Sequence, residues 1–277
     1  MSSLYKFLSP ERSTYFENEL LRYSPPGDLN DPYECLPILP SHVGKELLER
    51  VKSEFSILST HKSEATKSER RWLEDKYKKA MQRDISIPKT IEEVRNLYYE
   101  LIIGQMNEKI GILSLSRRWD ISLMWSHYTA SHSGFCIGFD DSHDFFQFGE
   151  IVNGEKVAVS PVKYSPKRST VPAHELTTKQ VKKILLTKAE EWSYEKEERS
   201  LRLLKSADQK VDGSPFNISL FRVPHSSVTE VVIGIKASDS LKEQATKFGK
   251  KYKVCVYKAE ISESNFNFSR NVIFKPS

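Results

Sequence analysis

The sequence predicts an α+β fold: a single mixed domain over 1–277, with a central sheet and a helical insertion at 44–109. Three observations predict it. Short apolar runs of strand length, such as Ile112, Leu113 and Leu115 with Ser114 and Ser116 set among them, recur after residue 110. Residues 44–109 instead place Leu47, Leu48, Val51, Phe55 and Leu58, then Val94, Leu97, Tyr98, Leu101 and Ile102, at helical spacing. No internal repeat and no linker rich in Gly, Ser or Pro divides the chain.

In order, Leu4–Leu8 reads as a strand. Thr14–Leu21 reads as a helix, with Ser13 or Thr14 as cap and Glu17 in the capping-box region. RYSPPGDLNDPYE follows, where Pro25, Pro26, Gly27, Asn30, Asp31 and Pro32 forbid long regular structure. Two helical stretches, 44–84 and Thr90–Lys109, flank a break at Ile87-Pro88. Next come a strand around Ile112–Leu115, a helix over Trp119–Ser131, and strands at Gly134–Phe139 and Val157–Tyr164. A helix is expected over Leu176–Glu190, running into a strand at Glu198–Leu204. Val228–Ile235, a helix around Leu241–Phe248 and Lys253–Ile261 complete a strand–helix–strand unit.

Composition narrows the function. The net charge of +5 is mild for a nucleic-acid binder, and the lysine clusters at 76–79, 179–183 and 247–251 have acidic neighbours that suit solvated helix faces. Cys35, Cys136 and Cys255 are too sparse for a disulfide framework or a cysteine zinc site, so no metal is expected and the reduced cytoplasm is the natural compartment. Lys6, Glu11 and Arg12 interrupt any signal-peptide core, and no apolar run reaches membrane-spanning length, so no membrane partner is expected. The chain contains no P-loop, dinucleotide fingerprint, His-Glu-x-x-His or Gly-x-Ser-x-Gly.

Three constellations could carry chemistry. Asn30-Asp31-Pro32-Tyr33-Glu34 reads either as a structural Asx turn or as a polar cleft wall. In Met124-Trp125-Ser126-His127-Tyr128, Trp125 and Tyr128 share a helical face and suit either core or a wall for a flat ring. His127 and His132 would lie roughly 140° apart on a helix, which is poor for a shared metal. In Tyr194-Glu195-Lys196-Glu197-Glu198-Arg199, a carboxylate at the mouth of a strand is held rigidly and can face a cleft, whereas most charge runs are solvated.

The ordered set LYKF, SPPGDLNDPYE, ILSLS, LMWSHYTASHSGFCIGFD and YEKEERSLRLL resembles a mainly bacterial domain-of-unknown-function family, numbered twenty-nine seventy-one, over roughly residues 4–260. That resemblance implies no reaction; some families like it occur among phage-defence genes. The chain also resembles the ADP-ribosyltransferase fold in its order of an early gripping residue, a small-hydroxyl strand and a late glutamate. Lys6 stands where such enzymes have Arg or His, and ILSLS lacks their middle Thr. This second resemblance implies NAD as substrate, in a toxin or phage-defence setting, with an unidentified protein or nucleic acid as target. It casts Glu197 or Glu198 and His127 as catalytic. It casts Tyr5, Lys6, Asn30, Asp31, Ser114, Ser116, Trp125 and Tyr128 as the NAD-binding set. The rival reading is a non-catalytic nucleotide- or protein-binding sensor module. A metal-dependent nuclease using Asp31, His127 and Asp140 is weaker, because its carboxylates lack ligand spacing. The expectation for the fold is that the first strand, NDPYE, MWSHY and the late glutamates converge on one concave site, with the helical block outside it.

Overall fold

The structure, a computed structural model, describes residues 3–59, 65–82, 88–150, 155–171, 176–264 and 266–276. Ile87 and parts of the expected 44–84 helix, residues 60–64 and 83–84, lie outside the described residues. The chain begins with β1 (Ser3–Leu8), a 3-10 turn (Pro10–Thr14), the short helix α1 (Tyr15–Asn18) and β2 (Leu20–Tyr23). Helices α2 (Ser41–Ser59), α3 (Lys67–Gln82) and α4 (Ile91–Lys109) follow, the last capped by the Thr90 hydroxyl, which accepts from Glu93 N–H. Then come β3 (Ile110–Ser116), α5 (Ser122–Tyr128), β4 (Phe135–Asp140) and α6 (Asp144–Gln147). Short strands β5 (Gly149–Glu150), β6 (Lys156–Val157), β7 (Ser160–Pro161) and β8 (Lys163–Ser165) precede α7 (Thr178–Leu185). The rest is β9 (Thr187–Ala189), a 3-10 turn (Glu190–Glu195), β10 (Glu197–Leu203), β11 (Gln209–Val211), β12 (Ile218–Arg222), β13 (Val228–Ile233), α8 (Asp239–Tyr252), β14 (Cys255–Ile261) and β15 (Phe268–Phe274).

The fold is α+β. Eight strands form the main sheet in the order β15-β14-β13-β4-β1-β3-β10-β7. Among the described strands of this sheet only the β13–β14 pair is parallel, joined through α8 as the strand–helix–strand pattern expects. Period-two alternation sorts the two faces. Leu4 and Leu8 of β1, Phe135, Ile137 and Phe139 of β4, and Val231 and Ile233 of β13 pack with Phe248 of α8 and Phe16 of α1. The opposite face holds two separate apolar clusters. One gathers Phe7, Cys136, Val232, Met124 and Trp125. The other gathers Ile110, Ile112 and Leu201 under α2, α4 and α7. The strand residues between those clusters on this face are polar: Ser114, Ser116, Glu197 and Arg199.

Four expected elements differ. The helix at Thr14–Leu21 ends at Asn18 because Glu19 turns left-handed, freeing Leu20–Tyr23 to pair with β12. The helix at Trp119–Ser131 contracts to Ser122–Tyr128, because Ala130, Ser131 and His132 are all left-handed, at φ 50°, 54° and 72°. The turn leads into Gly134, where any Cβ would lie 2.1 Å from the Leu8 carbonyl oxygen. The single strand at Val157–Tyr164 is three pieces, β6, β7 and β8, paired with β5, β10 and β9 respectively; Pro161 lacks the N–H a longer ladder needs. The helix at Leu176–Glu190 is shorter. Thr177 and Gln180 make a reciprocal capping box, and after Leu185 the chain becomes β9, paired in parallel with β8.

Trp125 belongs to the core rather than to a cleft wall. It is 0% exposed, packs edge-on against Phe7 at 5.4 Å, and donates its indole N–H to the Trp119 carbonyl at 2.6 Å. Trp125→Ala is expected to destabilise the fold by about 3–5 kcal/mol, the usual range for emptying a buried aromatic site, read as a shift in urea midpoint at unchanged slope.

Candidate functional site

The main sheet splits on the site side. β1 pairs with β4 over six residues but with β3 only at Tyr5 and Ser116. Further along β3, at Ile112, the backbone bonds Ser24 just after β2. Between those two pairings lies Ser114, whose carbonyl accepts a hydrogen bond from Lys6 Nζ at 3.0 Å. A cavity of about 210 Å³ opens at this gap. Its wall includes Tyr5, Lys6, Arg22, Ser24, Asp28, Asn30, Asp31, Glu34, Ser114, Met124, Tyr128, Lys188, Trp192, Glu195 and Glu197. No described residue from 44–109 lines it.

The floor is a buried charge network. Arg199 Nε donates to Glu197 Oε1 at 2.8 Å and its Nη2 to Glu197 Oε2 at 3.2 Å, and the guanidinium is ion-paired with Glu34. A further Arg199 nitrogen donates to the Leu185 carbonyl at the end of α7. Lys188 Nζ reaches Glu195 Oε2 at 2.5 Å, Glu197 Oε2 at 3.0 Å and Glu34 Oε1 at 3.7 Å. The Tyr128 hydroxyl donates to Glu195 Oε1 at 2.7 Å. Lys196, left-handed at φ 48°, turns the chain between the two glutamates so that both reach Lys188. The Tyr164 hydroxyl accepts the Glu197 N–H at 2.7 Å. Glu34, Glu195 and Glu197 thus face Lys188 and Arg199, one negative charge in excess.

Titration follows from this layout. Burial pushes the Glu197 carboxyl up, against the pull of Lys188. Burial alone would lower Lys188, but Glu197 and Glu195 outweigh it and raise the ammonium above its ordinary value. Lys6 is different. Burial brings it down to about 8, only partly opposed by Glu197 and Glu195. Among the described residues Lys6 has no carboxylate at ion-pair distance. Next to it lies an outer basin of about 320 Å³, sharing Lys6, Arg22, Ser24, Asp28, Asn30 and Tyr128 with the first cavity and adding Arg12, Thr14 and Asn18.

Of the sequence-expected residues, Tyr5, Lys6, Asn30, Asp31, Ser114, Tyr128 and Glu197 line the one cavity. Four do not. Trp125 is core. Ser116 is spent on structure, donating to the Glu195 carbonyl at 2.6 Å and accepting Arg118 N–H. Glu198 lies on the opposite face of β10 by alternation and pairs with Arg117 at 2.8 Å. His127 is exposed, its Nδ1 3.3 Å from the Tyr194 hydroxyl, outside the wall. Sequence reasoning missed Lys188 and Trp192, and named Arg199 only as the end of the charge run. The long helix expected over Leu176–Glu190 hid Lys188, and nothing local to Trp192 marks it as a wall residue. Among the described residues no group of three or more His, Cys, Asp or Glu is placed to hold a metal ion, and no helix is long and apolar enough to cross a membrane.

A family model described as "Protein of unknown function (DUF2971)" matches residues 124–200. That span carries Tyr128, Lys188, Trp192, Glu195, Glu197 and Arg199, while the first strand and the NDPYE loop lie outside it. No curated protein and no solved structure matches the chain.

Removing one partner from a buried ion network leaves the rest uncompensated, which typically costs 3–5 kcal/mol. Arg199→Met should therefore lower unfolding free energy by about that much in chemical denaturation. Arg199→Lys should recover little of it, because an ammonium lacks the planar fork that spans Glu197 and Glu34.

Proposed function

We propose that the protein cleaves the nicotinamide–ribose bond of NAD, passing ADP-ribose to water or to a macromolecular acceptor in a toxin or phage-defence setting. The observation that carries this reading is the polarity of the cleft. Its inner end holds the carboxylates of Glu195 and Glu197 beside the rings of Tyr128 and Trp192. Its outer end holds Lys6 and Arg12, with Arg22 ion-paired to Asp28. NAD has the matching polarity, a cationic nicotinamide ring at one end of an anionic pyrophosphate.

In this reading Lys6, with Arg12 in the basin, takes the pyrophosphate. Tyr128 and Trp192 flank the nicotinamide ring. As the glycosidic C–N bond breaks, its electron pair leaves with neutral nicotinamide and positive charge develops at the ribose carbon. The excess carboxylate charge faces that centre. The attacking hydroxyl gives its proton to Glu197, whose raised pKa suits a group that takes and returns protons.

One observation favours the sensor reading instead: Glu195 and Glu197 already hydrogen-bond Tyr128, Lys188 and Arg199. A cleft so arranged can hold a nucleotide without reacting. The same contacts change the expectation for the late glutamates. Loss of Glu197 should damage the fold as well as the rate, because two buried cations lose a partner.

The test is nicotinamide release from NAD, with and without macromolecular acceptors. Glu197→Gln, assayed below its own melting temperature, should lose one to three decades in rate, about 1.4–4 kcal/mol of transition-state stabilisation. Lys6→Met should mainly raise KM. Lys6 loses its proton as pH rises through about 8, so KM for NAD should climb above that pH in the wild type and stay flat in Lys6→Arg. NAD binding without any nicotinamide release would select the sensor reading. Release unaffected by either substitution would remove both residues from the reaction.

A further inference from the structure

A third cavity, of about 470 Å³, lies behind the first. Asp31, Lys188 and Trp192 line both, so these three side chains form a shared wall. The far side is lined by Tyr33, Cys35, Pro37, Lys167, Arg168 and Ser169. Tyr33 is 64% exposed, with the Arg168 guanidinium 5.7 Å from its ring centroid. Trp192 is held at the wall by Lys188, whose ammonium sits 5.0 Å from the indole. Asp31 is 7% exposed; its Oδ1 accepts the Tyr33 N–H at 2.9 Å, but its Oδ2 has no hydrogen-bond partner among the described residues. Lys167 and Arg168 are exposed, and neither has an ion-pair partner among the described residues. Cys35 is no nucleophile here, because burial pushes its thiol up to about 12.

We propose that this cavity is a slot for one unpaired nucleotide of a single-stranded nucleic acid. The base stacks on the rings of Tyr33 or Trp192. Lys167 and Arg168 take the flanking phosphates. The Asp31 Oδ2 accepts from an amino group on the base edge. Each part follows from chemistry: every base has a π-face that an exposed ring can cover, phosphodiesters require cations, and a buried lone carboxylate oxygen requires a donor. A duplex offers no free base face. An acidic peptide would satisfy Lys167 and Arg168 but leave the two rings and most of the volume unfilled. The proposal does not depend on the reaction assigned to the first cavity, although the shared wall would set a bound nucleotide beside Glu195 and Glu197.

The experiment is fluorescence polarisation on the intact protein at fixed salt, with a fluorescein-labelled mixed-sequence single strand of about a dozen nucleotides, as DNA and as RNA. The same strand annealed to its complement and a poly-glutamate peptide serve as competitors. The expected result is saturable single-strand binding, weakened about tenfold or more by Tyr33→Ala and by Arg168→Ala, and unchanged by Lys247→Ala on α8. Both substitutions lie at exposed positions, and thermal melts report whether the fold is kept. Asp31→Asn should change the preference among homopolymers rather than overall affinity. No single-strand binding overturns the proposal. So does displacement by poly-glutamate but not by excess unlabelled strand, which would make the slot a peptide site. Equal losses from Lys247→Ala and Arg168→Ala would reduce the binding to general surface charge and overturn it as well.

Discussion

The Arg199 guanidinium is fully enclosed, and three segments of the chain meet on it: β10 through Glu197, the 31–35 loop through Glu34, and the end of α7 through the Leu185 carbonyl. A buried cation costs several kcal/mol unless its hydrogen bonds and charge are met. Meeting that demand dictates much of what surrounds it. Glu197 must be a carboxylate, and two carboxylates in one enclosed space repel unless a second cation joins them. Lys188 is that cation, and it brings β9 and, through Glu195, the 3-10 turn before β10. One ionic cluster therefore fixes the run from the end of α7 through β9, the 3-10 turn and β10 against the distant 31–35 loop.

That cluster explains why the sheet can part without collapsing. β1 leaves β3 after a single paired residue, which removes ladder hydrogen bonds from the middle of the fold. The freed Ser114 carbonyl is taken by Lys6, and Ile112 is taken by Ser24. The gap persists because polar groups line both of its sides, and the backbone groups it frees find partners. The cavity is thus a consequence of strand divergence, and the cluster forms its rigid inner wall.

Much of this was readable from the chain, for physical reasons that differ by element. The strand–helix–strand unit at 228–261 was legible because α8 carries a Ser238 cap and a clear apolar stripe between two short apolar runs. β10 was legible because four buried apolar or small positions follow the charge run. The polar site residues on β1, β3, the NDPYE loop and α5 stood out because polar groups among apolar neighbours require an explanation. What stayed hidden depends on partners far away in sequence. β9 has no signal of its own; it exists because β8 is there to pair with it. The core role of Trp125 and the wall role of Trp192 are decided by which ring Phe7 meets and which one Lys188 meets. Local sequence around the two tryptophans does not distinguish them. Glu197 and Glu198 differ only by strand register, and the pairing of Glu197 with Ser116 sets that register.

Stability alone does not account for the cluster. Replacing a buried ion network by well-packed apolar residues is often neutral or favourable, so a fold that needed only a firm joint here would do as well with leucines. The network is instead placed where two cavities meet, and it leaves three features that apolar residues could not supply. One is an excess negative charge at the inner end of the cleft. A second is Lys6, a cation near neutrality that the carboxylates influence without capturing. The third is the Asp31 oxygen at the shared wall, close enough to Arg199 to support its charge yet without a hydrogen bond of its own. All three are held by the same network of Lys188, Glu195, Glu197 and Arg199, which is the arrangement a binding or catalytic centre needs and a structural joint does not.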